Sequence, residues 1–407
     1  MRENSWGKTI LLLISLVVIC SLGLLMVYSA THNESATWQN SFWFRQSIFI
    51  GVGIIVMLVI RMIPISVFYD LAYPIYFLSL FFLLYLAIGG GVSSHGAGRW
   101  INIGFQFQPS ELAKVAYLLA MARMLSQSPK LTMNKPKLFA MPLLLFSVPF
   151  LLILKQPDLS TALVFMAMTL VGFYWTGLSI VEILLMISPI LSVMASMNQV
   201  IWGVFFSLIV FLLIKYRIDK KLSGIIVVTN ISAAYASFLV WNKILKEHQR
   251  SRILTFLDPM RDPRGEGYQV IQSKVAIGSG GITGKGLGKG SQTNLDFLPE
   301  EHTDFIFSVL GEQFGFLGTA MTLLFFFLLL FSILVIVTYQ KNNFGNYLIV
   351  GIATILGFHI VVNVAMTLGL MPVTGLPLPF FSYGGTFMLT CMALMGIVLS
   401  VSKNKEY

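Results

Sequence analysis

Charge is what this sequence has least of. Asp, Glu, Lys and Arg make up 11% of its 407 residues, where a soluble domain carries about 25%. That scarcity excludes an ordinary soluble fold. With 56% hydrophobic residues and a mean hydropathy of +0.81, the chain reads as an integral membrane protein. Cysteine is nearly absent: Cys20 and Cys391 both sit inside apolar runs, which excludes a disulfide framework and leaves them as packing residues. No polar stretch is long enough for a domain of its own, and no fixed-period repeat is present. A Gly-Lys-Ser/Thr sequence is also missing, and no strand pattern precedes the glycines near residue 280, so a P-loop is excluded. The net charge of +10 is assigned to basic cytoplasmic connections, not to a nucleic-acid partner.

What the chain does have is apolar runs. A membrane-spanning helix takes about 20 residues, and candidate runs cover 9–29, 46–63, 67–88, 110–126, 138–154, 159–177, 179–196, 199–215, 222–241, 316–338, 346–369 and 384–402. The pattern predicts an all-α bundle of about 12 transmembrane helices forming one domain, residues 1–407. The first run imitates a signal peptide but exceeds the length of a signal core, so it reads as a retained helix. Trp6, Trp43, Tyr69, Trp100, Trp175 and Trp241 fall near run edges, as interfacial aromatics do. With a cytoplasmic N-terminus, Arg61, the 123–137 connection, the Lys215–Lys221 cluster, Lys341 and the C-terminal lysines all fall inside. The short outer connections near 31–44, 197–198 and 370–383 hold no Lys or Arg, so the positive-inside rule is obeyed. This orientation places residues 242–303 outside.

That long interruption carries nine positive and seven negative residues. A solvated connector explains them, and so does a site for an anionic ligand held by Arg and Lys. Asp258-Pro259 and Asp262-Pro263 are both turn starters, and either aspartate could instead accept a proton from a substrate hydroxyl. Residues 268–277 read as a short amphipathic helix on the membrane surface. The glycines at 278–290 suit a hinge or an anion cradle equally. Glu300, Glu301, His302 and Asp304 could ligate a metal or merely open a helix capped by Thr303. Three more polar islands share the outer face: Gly98–Ile101 with Gln108–Lys114, Lys155–Thr161, and Pro372–Gly385. Glu111 and Lys114 have pairing spacing, and Asp158 has the position of an N-cap. Irregular backbone at membrane depth is tolerated only where it is buried or lines a cavity, so these islands suggest a shared outer-leaflet cavity.

The ordered set Gly98-Arg99-Trp100-Ile101, Gln108-Pro109-Ser110-Glu111 with Lys114, Gln156 to Thr161, Asp262-Pro263 with Gly267-Tyr268-Gln269 and Gln272-Ser273, Leu298 to Phe307, and Pro372 to Gly385 resembles the SEDS family (shape, elongation, division and sporulation). It is closest to that family's rod-shape branch. The resemblance covers the chain from about Gly98 to its end. It implies a polytopic peptidoglycan glycosyltransferase of the bacterial cytoplasmic membrane, polymerising lipid II during elongation and releasing undecaprenyl diphosphate. Asp262 matches the family's essential loop aspartate and would be the general base. Arg99, Glu111, Lys114, Lys155, Asp158, Arg252, Gln272, Lys274, His302, Thr303 and Ser382 become candidates for substrate binding. Arg99, Lys114, Lys155 and Arg252 are the candidate partners of the diphosphate, with Mg²⁺ or Mn²⁺ as a helper and no tightly bound cofactor. The implied partners are a class B penicillin-binding protein and other elongation-complex membrane proteins. The family's typical ten spans leave one extra pair here, between Leu178 and Trp241. A lipid II flippase and a non-catalytic scaffold are the alternative functions.

Overall fold

The computed structural model describes residues 3–31, 41–94, 97–102, 106–239, 255, 258–263, 266–294 and 301–403. Each apolar run is a helix: α1 Glu3–Thr31, α2 Phe42–Met62, α3 Ile65–Ala87, α4 Pro109–Gln127, α5 Ala140–Lys155, α6 Leu159–Trp175, α7 Ile180–Ala195, α8 Gln199–Lys215 and α9 Lys220–Leu239. After the polar interruption come α10 Glu266–Ser279, α11 Ser291–Asn294, α12 Ile306–Val337, α13 Asn343–Thr367 and α14 Gly385–Lys403. Local chemistry sets their starts. Pro109 opens α4 at a position whose N–H needs no partner. Asp158, Asn198 and Asn342 accept N-terminal amides, and Ser179 and Glu182 form a reciprocal capping box.

Among the described residues seven helical segments are long and apolar enough to cross a membrane, while α6, α7 and α8 are shorter apolar helices of 16–17 residues. Helices α4 and α9 account for the other two apolar runs. The connection between α3 and α4 holds a small antiparallel meander, β1 Val92–Ser94, β2 Ala97–Asn102 and β3 Gln106–Phe107. Helix α12 also begins ten residues before the expected 316, because a helical segment precedes a break at Gly315 (φ 62°, ψ −159°).

The core centres on α13 and α14, whose most apolar windows are 61% and 72% buried. Small residues let backbones approach, as membrane helix packing requires. A Cβ on Gly23 of α1 would lie 2.6 Å from Phe381 Cα, and one on Gly396 of α14 would lie 2.8 Å from the Met57 carbonyl of α2. Helices α7–α9 pack around a separate cluster of Met133, Leu185, Ile209, Leu213, Ile218 and Ile226. Asn230 of α9 donates to Ser188 of α7 (2.8 Å), and the Ser192 hydroxyl donates to the Asn230 carbonyl (3.1 Å).

Candidate active site

The polar islands meet on the Pro372–Gly385 segment. It has no regular structure and is largely buried through Leu376–Ser382, so its carbonyls need protein donors. The donors come from the other islands, from α13 and from α2. The Ser160 hydroxyl donates to the Thr374 carbonyl. Asn363 Nδ2 donates to Leu376 O (2.8 Å) and to Asp304 O (2.9 Å). His359 Nδ1 lies 3.1 Å from Pro377 O. Gln46 Nε2 donates to Ser382 O (3.1 Å), and Tyr383 N donates to His302 O (2.9 Å). His359, Asn363 and Met366 are spaced i, i+4, i+7 on one face of α13. They meet Pro377, Leu376 and Thr374 in turn, so the loop runs back antiparallel along that helix.

The remaining candidates attach to this hub in different ways. Arg99 donates to the carbonyls of Gln156 and Pro157, and its Nε is 3.9 Å from Asp158. Asp158 in turn accepts from the amide (3.2 Å) and hydroxyl (2.9 Å) of Thr161. Lys114 is 1% exposed, with Nζ 2.8 Å from Glu111 and 3.1 Å from His359 Nε2. Ser382 is buried, and its hydroxyl accepts from Leu378 N (2.9 Å). The His302 ring stacks on Phe42 at 4.3 Å. Thr303 was expected to cap the next helix, but Phe305 holds that position without a side-chain bond, and residues 301–305 form turns. Lys155 is exposed at the end of α5, and Arg252 lies outside the described residues.

Helix α10 covers the expected amphipathic stretch, but it packs on protein. Ser273 is fully buried and bonds Ser308 of α12 and the Thr367 carbonyl of α13, each at 2.6 Å. Gln272 is half-buried on the same helix, and the exposed Lys274 runs its stem over Gly369, where a Cβ would lie 2.2 Å from Lys274 Cε. The two Asp-Pro pairs sit at opposite ends of one turn. Asp258 is committed to its turn: it accepts from Met260 N (3.2 Å) and sits 3.7 Å from Arg261. Asp262 ends that turn, half-buried, with its carbonyl accepting from Gly267 N at 3.2 Å. Gly267 is required there, since a Cβ would meet Pro259 O at 2.2 Å.

The glycine run packs against the break in α12. Where Gly315 breaks α12, the amides of Phe316 and Leu317 donate to Gly281 O (2.8 Å) and Ile282 O (3.0 Å). The amides of Lys285 and Gly286 donate to the carbonyls of Glu312 (3.0 Å) and Gln313 (2.9 Å). The loop thus supplies the partners that the broken helix lost. Beside it, fully buried Glu312 accepts from Lys285 Nζ (2.8 Å), Ser291 Oγ (3.1 Å) and Gln292 N (3.0 Å).

Sequence reasoning passed over His359, Asn363, Gln46 and Lys285 as site-builders. The available signal was a His and an Asn four residues apart inside a long apolar segment, a placement that usually marks function. Among the described residues no group of three His, Cys, Asp or Glu side chains forms a metal-ligand set. Of the residues in the metal reading, Glu300 lies outside the described residues.

Comparison with known proteins agrees over the whole chain. The Cell cycle protein family of FtsW, RodA and SpoVE matches residues 9–407. The peptidoglycan glycosyltransferase MrdB of Escherichia coli K12 is 34% identical, covering 100% of this chain and 97% of that protein. A chain from a structure described as "Structural coordination of polymerization and crosslinking by a peptidoglycan synthase complex" superposes with a TM-score of 0.71 at 29% identity, covering 98% of each chain. The rod shape determining protein RodA of Thermus thermophilus superposes with a TM-score of 0.64 at 27% identity, covering 99% of this chain and 97% of that one. The chain therefore belongs to the FtsW, RodA and SpoVE family, the SEDS family whose segments it carries in order.

Proposed function

We propose that this protein is a peptidoglycan glycosyltransferase that polymerises lipid II, with Asp262 as its general base. The observation that carries the reading is the convergence of Lys114, Ser160, His302 and Asp304, directly or through His359 and Asn363, on one buried, irregular loop, Pro372–Gly385. Membership in a family whose relatives are named peptidoglycan glycosyltransferases supports it. The Asp262 carboxylate takes the proton of the acceptor's sugar 4-hydroxyl. The freed oxygen forms a bond to the donor's anomeric carbon, and the bond from that carbon to the diphosphate breaks with inversion. Undecaprenyl diphosphate leaves with the electron pair, and its charge calls for cations nearby. Arg99, 35% exposed at its side chain, is the candidate that the fold both anchors and leaves accessible. Lys114 is enclosed by Glu111 and His359 and acts from within the scaffold.

In this reading the twelve hydrophobic helices all span the membrane, both termini are cytoplasmic, and the 242–303 loop faces outward, where lipid-linked sugars are joined. The helices around the separate α7–α9 core then include the pair added to a family-typical ten. The partner is a class B penicillin-binding protein that crosslinks the glycan, in keeping with the synthase complex that supplies the structural neighbour. Other elongation-complex membrane proteins would assemble around this pair.

The test is purified protein with its partner, given lipid II while the partner's transpeptidase serine is blocked. Glycan polymer from the wild type and none from Asp262→Asn supports the enzyme. Undiminished polymer from a folded Asp262→Asn protein would remove the general base. Lipid II crossing liposomes without polymer would favour a flippase, and polymer made by the partner alone would favour a scaffold.

A further inference from the structure

Lys114 of α4 and Pro377 of the hub loop are joined through one imidazole. Lys114 Nζ lies 3.1 Å from His359 Nε2, and His359 Nδ1 lies 3.1 Å from Pro377 O. An ammonium only donates, so the Nε2 facing it must accept. A carbonyl only accepts, so the Nδ1 facing Pro377 must carry a hydrogen. One species satisfies both contacts: the neutral imidazole protonated at Nδ1. Imidazolium would set a donor against the ammonium. Bulk solvent does not reach the cluster, since Lys114 and His359 are each 1% exposed and Glu111 is 4% exposed. Charge also closes, because Glu111 and Lys114 cancel at 2.8 Å and the ring adds none. Phe387 fixes the ring plane, stacked at 4.8 Å, and lies under the ammonium at 5.3 Å.

We propose that His359 is a positioning residue, a neutral strut that transmits the Glu111–Lys114 ion pair to the Pro372–Gly385 loop and holds the loop in its working shape. Its effect on catalysis rests on the glycosyltransferase reading; its effect on the loop does not. Asn363, one turn along, holds the neighbouring carbonyl of Leu376. The two side chains thus fix consecutive carbonyls of a segment that has three prolines and so few amides of its own to spend on self-bonding.

The experiment compares amide hydrogen exchange over Thr374–Tyr383 in nanodisc-embedded wild type, His359→Leu and His359→Gln, alongside lipid II polymerisation. Loss of the strut should speed loop exchange about tenfold in His359→Leu while the centre of α13 stays protected. The kcat should fall at nearly constant KM. His359→Gln should recover much of both, because its amide can accept at one atom and donate at the other. Wild-type loop exchange in His359→Leu, or equal defects in the two variants, would overturn the proposal. Imidazole nitrogen shifts of the wild type give a reading that no misfolded variant can spoil. A protonated Nδ1 and bare Nε2 support the strut, and any other state of His359 overturns it. Exchange and nitrogen shifts are read without substrate, so they decide the strut even if no polymer forms, a result that would sink only the proposed activity.

Discussion

The backbone of Gly284 fills the side-chain space of Gly315. A Cβ on Gly315 would lie 2.4 Å from Gly284 N, and one on Gly284 would lie 2.1 Å from the Gln313 carbonyl. Both also have positive φ, 80° and 62°. Gly284→Ala therefore combines a left-handed backbone penalty with a backbone clash that no rotamer relieves, for a cost of about 2–4 kcal/mol. Gly278 sits in α10, where a Cβ would have nothing within 4 Å, so Gly278→Ala should be neutral or stabilise by about 0.5–1 kcal/mol. Thermal unfolding of the two variants in detergent checks the contrast. Equal melting temperatures would mean that the loop does not buttress the break in α12.

Glu312 and Lys285 make an asymmetric pair. Glu312 is fully buried, whereas the Lys285 side chain is 28% exposed. Lys285→Met strands a carboxylate in the protein interior, which costs about 3 kcal/mol or more when a buried pair is broken. Glu312→Gln leaves an ammonium that can turn toward water, and its cost should stay near about 1 kcal/mol. The double variant should recover part of the Lys285→Met loss, which a double-mutant cycle on unfolding free energies measures.

The two loop aspartates should separate in kinetics. Asp258 caps a short turn and pairs with Arg261 at an exposed position, so Asp258→Ala loses about 1 kcal/mol of local order and only a few-fold in rate. Asp262→Asn removes the proposed base and should lower the initial polymerisation rate by about 10²–10⁴. Comparable losses in both would mean that Asp262, like its neighbour, serves the turn.

Helix positions were legible because hydrocarbon runs broken by Pro, Asp and Asn state both the segment and its start, as Pro109 and Asp158 do. The polar segments were legible as members of a set, and Glu111 with Lys114 was legible from spacing alone. What stayed hidden was non-local. Nothing near Gly315 in sequence announces that carbonyls some thirty residues earlier will take its helix's amides. The Thr303 cap had the right residue type before an apolar run. It lost because the turns at 301–305, tied by His302 O to Tyr383 and by Asp304 O to Asn363, delay the helix to Ile306. His359 stood out as a histidine in an apolar run, but its role was hidden for the same reason, as its two partners lie 245 and 18 residues away.

Sidedness gives the last prediction. The basic connection Lys215–Lys221 between α8 and α9 and the exposed Lys289 of the glycine loop lie on opposite faces if α9 crosses the membrane. The native thiols do not obscure the measurement, because Cys20 and Cys391 are 7% and 1% exposed. A membrane-impermeant maleimide added to intact cells should therefore label Lys289→Cys and leave Lys220→Cys unmodified until the membrane is opened. Labelling of both from outside would mean that α9 does not cross, and the twelve-span arrangement would fall. The reverse pattern, with Lys220→Cys labelled and Lys289→Cys protected, would do more damage. It would place the Asp262 turn inside, in the compartment opposite to the one that polymerising a lipid-linked sugar on the outer face requires.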